Sequence, residues 1–384
     1  MRSIAVIFGG KSAEHDVSII TAHTPIIDSL QASGEFDVWP IYITKEGTWY
    51  CDKKMNDISF FKNSAYEDEL KRWKPVDVSV NDGLTIIWPG LMSKRQKIDV
   101  VFPSMHGTYG EDGALMGLLK MANVPFVGCD VAASAVAMDK VLTKQVCAAE
   151  GMPVVPYVWF TREEWEKDEH GVRNRMSALN WPLFIKPVHL GSSIGMAKVK
   201  DSKDLAGAIE VALHYDDKVL VEEGIEPLIE ITLPIMGNDV VRPALPERPL
   251  NKTEFFDFKD KYLSGGKNAS GANSEYSEVP AQIGDELTKE ILALGERVYR
   301  TLGCAGIARV DFLVHAESKK VYVNEVNTLP GSLYAHNWKK AGVSHMDLVL
   351  GLVKLADERF AAQKSTTFAF QSDILKKAGG PKIQ

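Results

Sequence analysis

The chain has 384 residues, of which 45% are apolar, and this is enough to bury two or three hydrophobic cores. A net charge of −7 argues against nucleic acid or an anionic membrane as the main partner, and no apolar run reaches the length of about 18 residues that a membrane-spanning helix needs. Four single cysteines without a CxxC pair predict reduced thiols in a cytoplasm and no zinc site: Cys51, Cys129, Cys147 and Cys304.

The N-terminal residues predict a strand, a glycine turn and a helix. Residues 2–8 form an apolar run that ends at Gly9 and Gly10, which is the opening of an α/β domain and not a signal peptide. The sequence GGKSAEHD is neither GxGxxG nor a Walker A loop. Glu14 and His15 lie where the loop joins the helix, a usual position for ligand contacts, although either could be a capping or surface residue.

A second glycine-rich loop follows the predicted strand KIDVVF. This loop, PSMHGTYGEDG, carries His106, Glu111 and Asp112, and its glycines allow the backbone to approach a ligand closely. Asp112 could instead cap the helix ALMGLLKMAN, after which VPFVG predicts another strand. The density of polar groups after a buried strand favours a binding loop over a simple connection.

The next region predicts a phosphate site. Lys140 and Lys144 share one face of a helix that is rich in small residues. Lys186 ends a buried strand beside the loop HLGSSIG, where backbone N–H groups and the hydroxyls of Ser192 and Ser193 can face an anion. We interpret Lys186 as a phosphate ligand, since a buried lysine needs a partner. The alternatives are a structural Lys186 and a solvated lysine pair on the helix.

Carboxylates and an irregular segment follow. The strand KVLVEEGI ends at Glu222 and Glu223, and Glu230 begins another apolar strand. Such groups could accept hydrogen bonds from adenine or ribose, and an exposed edge charge is the alternative for Glu223. Residues 251–281 predict a lid or a disordered linker, and the aromatic residues at their start favour the lid.

The stretch ARVDF…VNEVNTLPG predicts a metal site. IARVDFLV and KVYVNEV are β-branched runs joined by AESKK, which is typical of two strands. If they pair in antiparallel, Asp311 and Glu325 are neighbours, and Glu325 and Asn327 point to the same face. These oxygen ligands suit Mg²⁺, with solvated hairpin charges as the alternative. NTLPGSLYAHNWKKAG predicts a loop, HMDLVLGLVKLADERF a closing helix, and residues 364–384 a peripheral tail.

Six motifs in a fixed order carry a resemblance to a known family. FGGKSAEHDVS, HGTYGEDG, AMDK, FIKPVHLGSSIGM, ARVDF and NEVNTLPG together resemble D-alanine–D-alanine ligases of the ATP-grasp superfamily. The resemblance implies a mixed α/β, three-domain ATP-grasp fold. It has a Rossmann-like N-terminal domain over residues 1–128, a central subdomain over 129–221, and a C-terminal subdomain with lid and metal site over 222–363.

The resemblance also implies the chemistry. One D-alanine would be activated by ATP as an acyl phosphate and joined to a second D-alanine for peptidoglycan precursor synthesis. The expected cofactors are ATP and two Mg²⁺ ions, with Mn²⁺ as an alternative, and the expected form is a cytoplasmic homodimer. Asp311, Glu325 and Asn327 correspond to the metal ligands. The residues implied at the nucleotide are Lys140, Lys186, Ser192, Ser193, Glu222, Glu223, Glu230 and Lys261.

For the amino acid substrates, the resemblance implies further roles. Glu14 would hold the first ammonium group, with Ser192 and Tyr262 closing the lid over it. His106 would lie near the reacting carboxylate. An oxyanion at the tetrahedral intermediate would be stabilised by Arg309 and the backbone N–H of Gly331.

Departures from the family pattern concentrate at the acceptor. Where the family usually reads MTxxSxxP, this chain reads SLYAHNW, so Ser332, His336 or Asn337 would hold the second carboxylate. The alternative function is therefore a ligase with D-serine, D-lactate or another amino acid as acceptor, set by the loop 332–338. Met116 and Lys120 also depart from the family, at helix positions away from the chemistry. A non-catalytic nucleotide-binding protein and a biotin carboxylase-like enzyme are the other readings.

Overall fold

The computed structural model describes residues 1–250 and 277–367, together with Ser372. Lys261, Tyr262 and most of the predicted lid loop and tail therefore lie outside the described residues. The α-helices are α1 His15–Thr21, α2 Asp28–Ser33, α3 Ser59–Lys62, α4 Tyr66–Leu70, α5 Ala114–Met121, α6 Val131–Met138, α7 Lys140–Ala149, α8 Arg162–Lys167, α9 Glu169–Met176, α10 Leu205–Tyr215, α11 Asp285–Thr301, α12 Ala335–Lys340 and α13 His345–Gln363.

The strands of the described residues form several separate sheets. They are β1 Arg2–Gly9, β2 Phe36–Ile43, β3 Trp49–Cys51, β4 Asp77–Ser79, β5 Leu84–Trp88, β6 Lys94–Ile98, β7 Val100–Pro103, β8 Tyr157–Thr161, β9 Leu183–Pro187, β10 Ala197–Val199, β11 Lys218–Glu223, β12 Leu228–Gly237, β13 Val241–Pro243, β14 Arg248–Pro249, β15 Ser277–Glu278, β16 Gly306–His315 and β17 Val321–Asn327.

The N-terminal sheet has the order β3-β2-β1-β7, and β1 pairs in parallel with β2 and β7. Residues 3–9 of β1 are all buried, as expected for a parallel strand that is covered on both faces. The strand ends at Gly9, whose φ is 87° and where a Cβ atom would lie 2.2 Å from the carbonyl oxygen of Ile43. Only glycine fits this turn, and the predicted strand, glycine turn and helix are confirmed.

Two further four-stranded sheets, both antiparallel, follow in the chain, and the shorter strands form an antiparallel β4-β5-β6 sheet and the antiparallel pair β14-β15. The central sheet has the order β10-β9-β11-β8, and α9 and α10 pack on it through Val172, Met176 and Ile209. The third sheet has the order β13-β12-β16-β17, with α11 packed against it. Ile291 and Val298, which are completely buried, belong to the apolar face of α11. The mixed α/β class predicted from the sequence is confirmed.

The closing helix α13 packs into the N-terminal core. Leu348, Val349 and Leu352 share one hydrophobic cluster with Ile4 and Phe8 of β1. This core therefore crosses the limits predicted for the N-terminal and C-terminal domains, and those limits stay a prediction.

Two local expectations were wrong. Residues 335–340, which were predicted as loop, form α12, because Trp338 is fully buried and anchors this turn in the core. The segment VPFVG is not an extended strand of the sheet, since Phe126 makes only an isolated bridge with Val101. No helix in the described ranges has the length and apolar character needed to cross a membrane.

Candidate active site

The hairpin of β16 and β17 places the predicted metal ligands together. Asp311 lies opposite Glu325, and Arg309 opposite Asn327, so the predicted antiparallel pairing is confirmed. Arg309 donates to both carboxylate oxygens of Asp311, with Nε–Oδ1 and Nη2–Oδ2 distances of 2.6 Å. Asn327 Nδ2 donates to Asp311 Oδ2 at 3.1 Å. Two carboxylates and an amide therefore share one end of the hairpin.

Lys140 joins this hairpin to the glycine/serine loop. It is the first residue of α7, whose N-terminus is capped by Asp139 through the backbone N–H groups of residues 141 and 142. Its Nζ donates to the carbonyl oxygen of Leu190 at 2.6 Å and lies 3.8 Å from Glu325 Oε2. The helix start, the loop and the hairpin therefore meet at this ammonium group.

Lys186 belongs to a buried ion cluster around Glu222. Its ammonium contacts one carboxylate oxygen of Glu222 and lies 3.4 Å from Asn324 Oδ1. Lys144 contacts the other carboxylate oxygen. Burial opposes the charge on Glu222, but the two lysines outweigh it and lower the pKa of this carboxyl to about 2.

The glycine/serine loop reaches across to the N-terminal part of the chain. Ser192 and Ser193 have positive φ values of 54° and 58°, so the backbone turns sharply here. The hydroxyl of Ser192 donates to the carboxylate of Glu14. A Cβ atom on Gly191 would lie 3.2 Å from Glu14 Oε2, which shows how closely the loop approaches this residue.

His106 and Glu111 line the same region from the second glycine-rich loop. His106 Nε2 lies 2.8 Å from Thr21 Oγ1, and its Nδ1 lies 3.9 Å from Glu111 Oε2. Glu111 accepts hydrogen bonds from the backbone N–H groups of Gly107 at 2.8 Å and of Leu329 at 3.1 Å. Burial and the nearby Glu14 raise the pKa of Glu111 to about 8. Burial lowers the pKa of His106.

One cleft collects these groups from three parts of the chain. The N-terminal part, the start of α7 with the glycine/serine loop, and the β17 strand each contribute to its lining. The residues that line it include Glu14, Glu111, Lys140, Gly191, Glu325 and Asn327.

The chain after β17 covers Arg309. Ser332, Leu333 and Tyr334 have positive φ values of 46°, 53° and 52° and form a tight turn that begins at Gly331. The Tyr334 ring centroid lies 4.9 Å from Arg309 Cζ. Burial opposes the charge on Arg309, but Asp311 and the other acidic groups outweigh it and raise its pKa.

His336 and Asn337 of α12, the candidates for the carboxylate of the second substrate, differ in solvent exposure. Asn337 is fully buried, and its Nδ2 donates to Leu245 O and to Glu247 Oε2 at 2.9 Å each. Its Oδ1 accepts from the backbone N–H of Leu245 at 3.2 Å. The exposed His336 places Nε2 2.9 Å from Glu247 Oε2. The backbone N–H of Ser332 donates to Thr21 Oγ1 at 2.9 Å.

Comparisons with known proteins identify the family of this chain. The family model described as D-ala D-ala ligase N-terminus matches residues 3–129, and that described as D-ala D-ala ligase C-terminus matches residues 146–354. The chain belongs to the D-alanine–D-alanine ligase family. A D-alanine–D-alanine ligase from Acetivibrio thermocellus is 36% identical over 374 residues, which covers 94% of this chain and 96% of the relative.

Solved structures of family members have the same fold. The D-alanine–D-alanine ligase from Coxiella burnetii has a TM-score of 0.78 and 30% identity, covering 95% of this chain and 98% of that protein. The VanG D-Ala:D-Ser ligase from Enterococcus faecalis has a TM-score of 0.76 and 33% identity, covering 92% and 99%. The family uses ATP and is a family of ligases, so this chain is an ATP-dependent enzyme acting on small molecules.

The remaining nucleotide candidates are spread along two strands. Glu223 ends β11, where its Oε1 accepts from the backbone and side-chain nitrogens of Asn180 at 3.0 Å each. Glu230 is half-buried in β12, opposite Leu313 of β16. Lys261 and Tyr262 fall outside the described residues, so their roles stay predictions.

Three residues of the site region were not assigned from the sequence. Glu111 lies in the loop HGTYGEDG without a predicted role, although a carboxylate between glycines after a buried strand is a usable signal. For Lys144, the sequence predicts only that it shares a helix face with Lys140. Glu247 had no local signal, because its partners His336 and Asn337 are about 90 residues away in the chain.

The departures at Met116 and Lys120 lie away from the cleft. Met116 is buried in a separate hydrophobic cluster with Ala5 and Ile7 of β1, and Lys120 Nζ forms an ion pair with Asp130 at 2.7 Å. Neither residue is among those that line the cleft within the described part of the chain.

Proposed function

We propose that this chain joins two D-alanine molecules into D-alanyl-D-alanine for peptidoglycan precursor synthesis. The observation that carries the proposal is the single cleft in which Glu14, Lys140 and Glu325, from three parts of the chain, lie together. The curated relatives, which are named for this reaction and match over nearly their whole length, support it. The first D-alanine carboxylate attacks the γ-phosphorus of ATP and releases ADP. The amine of the second D-alanine then displaces phosphate from the acyl phosphate.

For the metal, we propose two Mg²⁺ ions at Asp311, Glu325 and Asn327, with Mn²⁺ as an alternative. Carboxylate and amide oxygens are the donors that these hard cations prefer, so the residues present fit the group. When bound there, the ions would neutralise charge on the transferred phosphoryl group.

The nucleotide is proposed to lie between the glycine/serine loop and β12. Lys140 and Lys186 would bind phosphates, and backbone N–H groups of the loop would add donors. Glu230 is proposed at the ribose. The complete proposed set is Lys140, Lys186, Ser192, Ser193, Glu222, Glu223, Glu230 and Lys261.

The amino acid substrates are proposed to lie beside Glu14. Its carboxylate would bind the ammonium group of the first D-alanine, and the Ser192 hydroxyl, which contacts Glu14, would fix that carboxylate in place. His106 would face the reacting carboxylate. Arg309 and the backbone N–H of Gly331 would stabilise the oxyanion, because fixed donors in a buried site favour charge that develops there.

The proposal is tested by phosphate release with ATP, Mg²⁺ and D-alanine, with the product mass recorded. We expect ADP, phosphate and D-alanyl-D-alanine in equal amounts. ATP turnover without dipeptide, or no turnover with any amino acid, would contradict the proposal and favour a nucleotide-binding protein without ligase activity.

The metal site is tested by Glu325→Gln, which removes one ligand charge. We expect turnover to fall at least about a hundredfold and Mn²⁺ binding, followed by electron paramagnetic resonance, to weaken. Glu317→Gln, in the exposed turn of the same hairpin, is the matched control and should behave as the parent. Unchanged Mn²⁺ binding by Glu325→Gln would remove this residue from the metal site.

A second candidate function is a D-alanine ligase with another acceptor. The altered loop 332–338 favours it, because Asn337 is buried and His336 is bound to Glu247. The likeness to the VanG D-Ala:D-Ser ligase supports D-serine as an acceptor to test. With D-alanine fixed, D-serine and D-lactate are offered in competition with D-alanine. If a mixed product dominates, the second substrate is the acceptor in that product and not D-alanine.

We also propose a cytoplasmic homodimer. The cytoplasm is supported by the four cysteines, each of which is buried and without a disulfide partner in the described residues. The dimer rests on the family resemblance, and sedimentation velocity of the purified chain tests it. A monomer at working concentration would contradict it.

A further inference from the structure

Lys144 is a buried charge that the proposed reaction does not use. It lies one helical turn after Lys140 on α7, and its side chain is 1% exposed. Its ammonium contacts Glu222 Oε1, and the ring centroid of Tyr157 lies 6.0 Å away. Burial lowers the pKa of Lys144, although Glu222 acts in the opposite direction. Such a group is costly to keep in the interior, so its position calls for a physical reason.

Glu222 is the shared partner of two lysines. Lys144 contacts its Oε1 and Lys186 contacts its Oε2, and the carboxylate itself is only 2% exposed. A single lysine would be enough to compensate one carboxylate. When both lysines are protonated, the cluster carries one more positive charge than its carboxylate requires, and each buried charge adds a desolvation cost.

The two lysines differ in their positions in the fold, and their side chains are 1% exposed for Lys144 and 8% exposed for Lys186. Lys144 is enclosed on a helix, whereas Lys186 is near the end of β9, where the glycine/serine loop begins. As a phosphate ligand, Lys186 would exchange its contact with Glu222 for one with the phosphate. If Lys186 were the only partner, this exchange would leave a buried carboxylate uncompensated, which is strongly unfavourable. Contact with Lys144 on the other oxygen removes that obstacle.

We propose that Lys144 is a positioning residue for the nucleotide: it compensates Glu222, so that the Lys186 ammonium can move to an ATP phosphate. This inference rests on the proposed role of Lys186 as a phosphate ligand. Lys144 acts through its two neighbours and touches no substrate itself.

The first test is Lys144→Met, which removes the charge and keeps a long side chain. Glu222 then retains Lys186 as its partner, and we expect the apparent KM for ATP to rise at least about tenfold because that buried pair must be broken. The kcat and the KM for D-alanine should change less than about threefold, since the substitution acts on nucleotide binding. An unchanged KM for ATP would overturn the proposal.

Two further variants serve as controls. Lys144→Arg keeps the positive charge and should return the KM for ATP to within about threefold of the parent. Lys120→Met removes the ion pair between Lys120 of α5 and Asp130, which precedes α6, and should leave all kinetic constants unchanged. A KM for ATP as high in Lys144→Arg as in Lys144→Met would overturn the proposal, because it would make the charge irrelevant.

A double-mutant cycle separates compensation from simple packing. Glu222→Gln removes the charge that would retain Lys186, so Lys144→Met should be much less harmful in that background. We expect the rise in KM for ATP caused by Lys144→Met to be at least about fivefold smaller in the Glu222→Gln background than in the parent. Equal effects in both backgrounds would overturn the proposal, whatever Glu222→Gln does alone.

Folding and the role of Lys186 are checked separately. If Lys144→Met does not give a cooperative thermal unfolding transition, Lys144→Gln, which keeps a hydrogen-bond donor for Glu222, replaces it in the cycle. Lys186→Met should lose ATP binding measured by calorimetry without D-alanine. Normal binding by that variant would overturn the role of Lys186 and this inference together. Lost binding with no coupling between residues 144 and 222 would overturn this inference alone.

Discussion

The charge of His189 is held by carboxylates from two different elements. Its Nδ1 lies 3.1 Å from Asp216 Oδ1, and its Nε2 lies 3.3 Å from Asp139 Oδ2, which also accepts from Lys218 at 2.7 Å. Hydrogen bonds with Asp139 and Asp216 raise the pKa of His189 to about 9. Because His189 begins the glycine/serine loop, this network fastens the loop to the start of α7 and to the start of β11.

We predict that His189→Asn destabilises the protein in a pH-dependent way. The pKa is raised from 6.5 to about 9, so the stabilisation is fully present below pH 6.5 and is lost as pH rises through about 9. The ring is 43% exposed, and solvent screening reduces the expected loss to about 1–2 kcal/mol near pH 6. In urea unfolding, the variant should have a lower free energy of unfolding than the parent, and this difference should disappear by about pH 10. His170→Asn, on the exposed face of α9, should show no difference at either pH, and a pH-independent difference for His189→Asn would contradict the prediction.

Glu111 is a second residue whose neighbours define its chemistry. Its two oxygens accept from the backbone N–H groups of Gly107 and Leu329, which belong to segments more than two hundred residues apart. Its pKa is raised to about 8 by burial and by Glu14, so ionisation in the folded state is disfavoured. Between pH 4.5 and about 8 the unfolded chain binds fewer protons at this residue than the folded one, and stability falls as pH rises.

We predict that Glu111→Ala lowers the free energy of unfolding by about 2–4 kcal/mol, since it leaves two buried N–H groups without acceptors. The loss should be largest near pH 5 and smaller near pH 8, because the carboxyl of the parent is itself less favourable at the higher pH. Chemical unfolding at both pH values measures this. Glu290→Ala, at an exposed position of α11, is the control. A larger loss at pH 8 than at pH 5 would show that the sign of the shift is wrong.

At the scale of elements, the local sequence pattern was sufficient to predict the pairing of β16 with β17, but not to place the side chains of α12. Asp311 and Glu325 could be paired from the sequence because alternation along two adjacent strands fixes which side chains share a face. Asn337 could not be placed, because its amide is satisfied by Leu245 and Glu247, about 90 residues earlier. A side chain that is fixed by a distant partner leaves no periodic signal in its own segment.

Helix α11 offers a test of how closely it packs on the third sheet. A Cβ atom on Gly295 would lie 2.5 Å from Leu233 Cδ2 and 3.3 Å from Ile235 Cδ1. We predict that Gly295→Ala destabilises the protein by about 1–2 kcal/mol, because overpacking outweighs the better helix propensity of alanine. Thermal unfolding measures the change.

The matched control, Gly351→Ala, is expected to change the stability in the opposite direction. Gly351 lies inside α13, and a Cβ atom there would meet no atom within 4 Å. Gly351→Ala should therefore stabilise the protein by up to about 1 kcal/mol, through reduced chain entropy in the unfolded state. If both substitutions changed the stability in the same direction, α11 and β12 would not be in close contact.

At the scale of the whole molecule, helix α13 near the end of the chain packs against the N-terminal sheet. Helix α13 is the last long element of the described residues, yet Leu348, Val349 and Leu352 lie in the core of the N-terminal sheet. Arg359 of the same helix donates to the carbonyl oxygens of Phe126, at 2.9 Å, and of Gly128. The sequence predicted a closing helix here, but not which sheet the helix would cover, since many apolar surfaces have the same pattern.

We predict that Leu352→Ala weakens the N-terminal sheet as well as α13. The side chain is fully buried, and its truncation should cost about 2–5 kcal/mol. Hydrogen exchange followed by mass spectrometry should show faster exchange in β1 and α13 together, because one hydrophobic cluster holds both. Met346→Ala, at an exposed position on the same helix, should leave both protected. Faster exchange confined to α13 would mean that the N-terminal core is stable without this helix, and that the two ends of the chain can open separately.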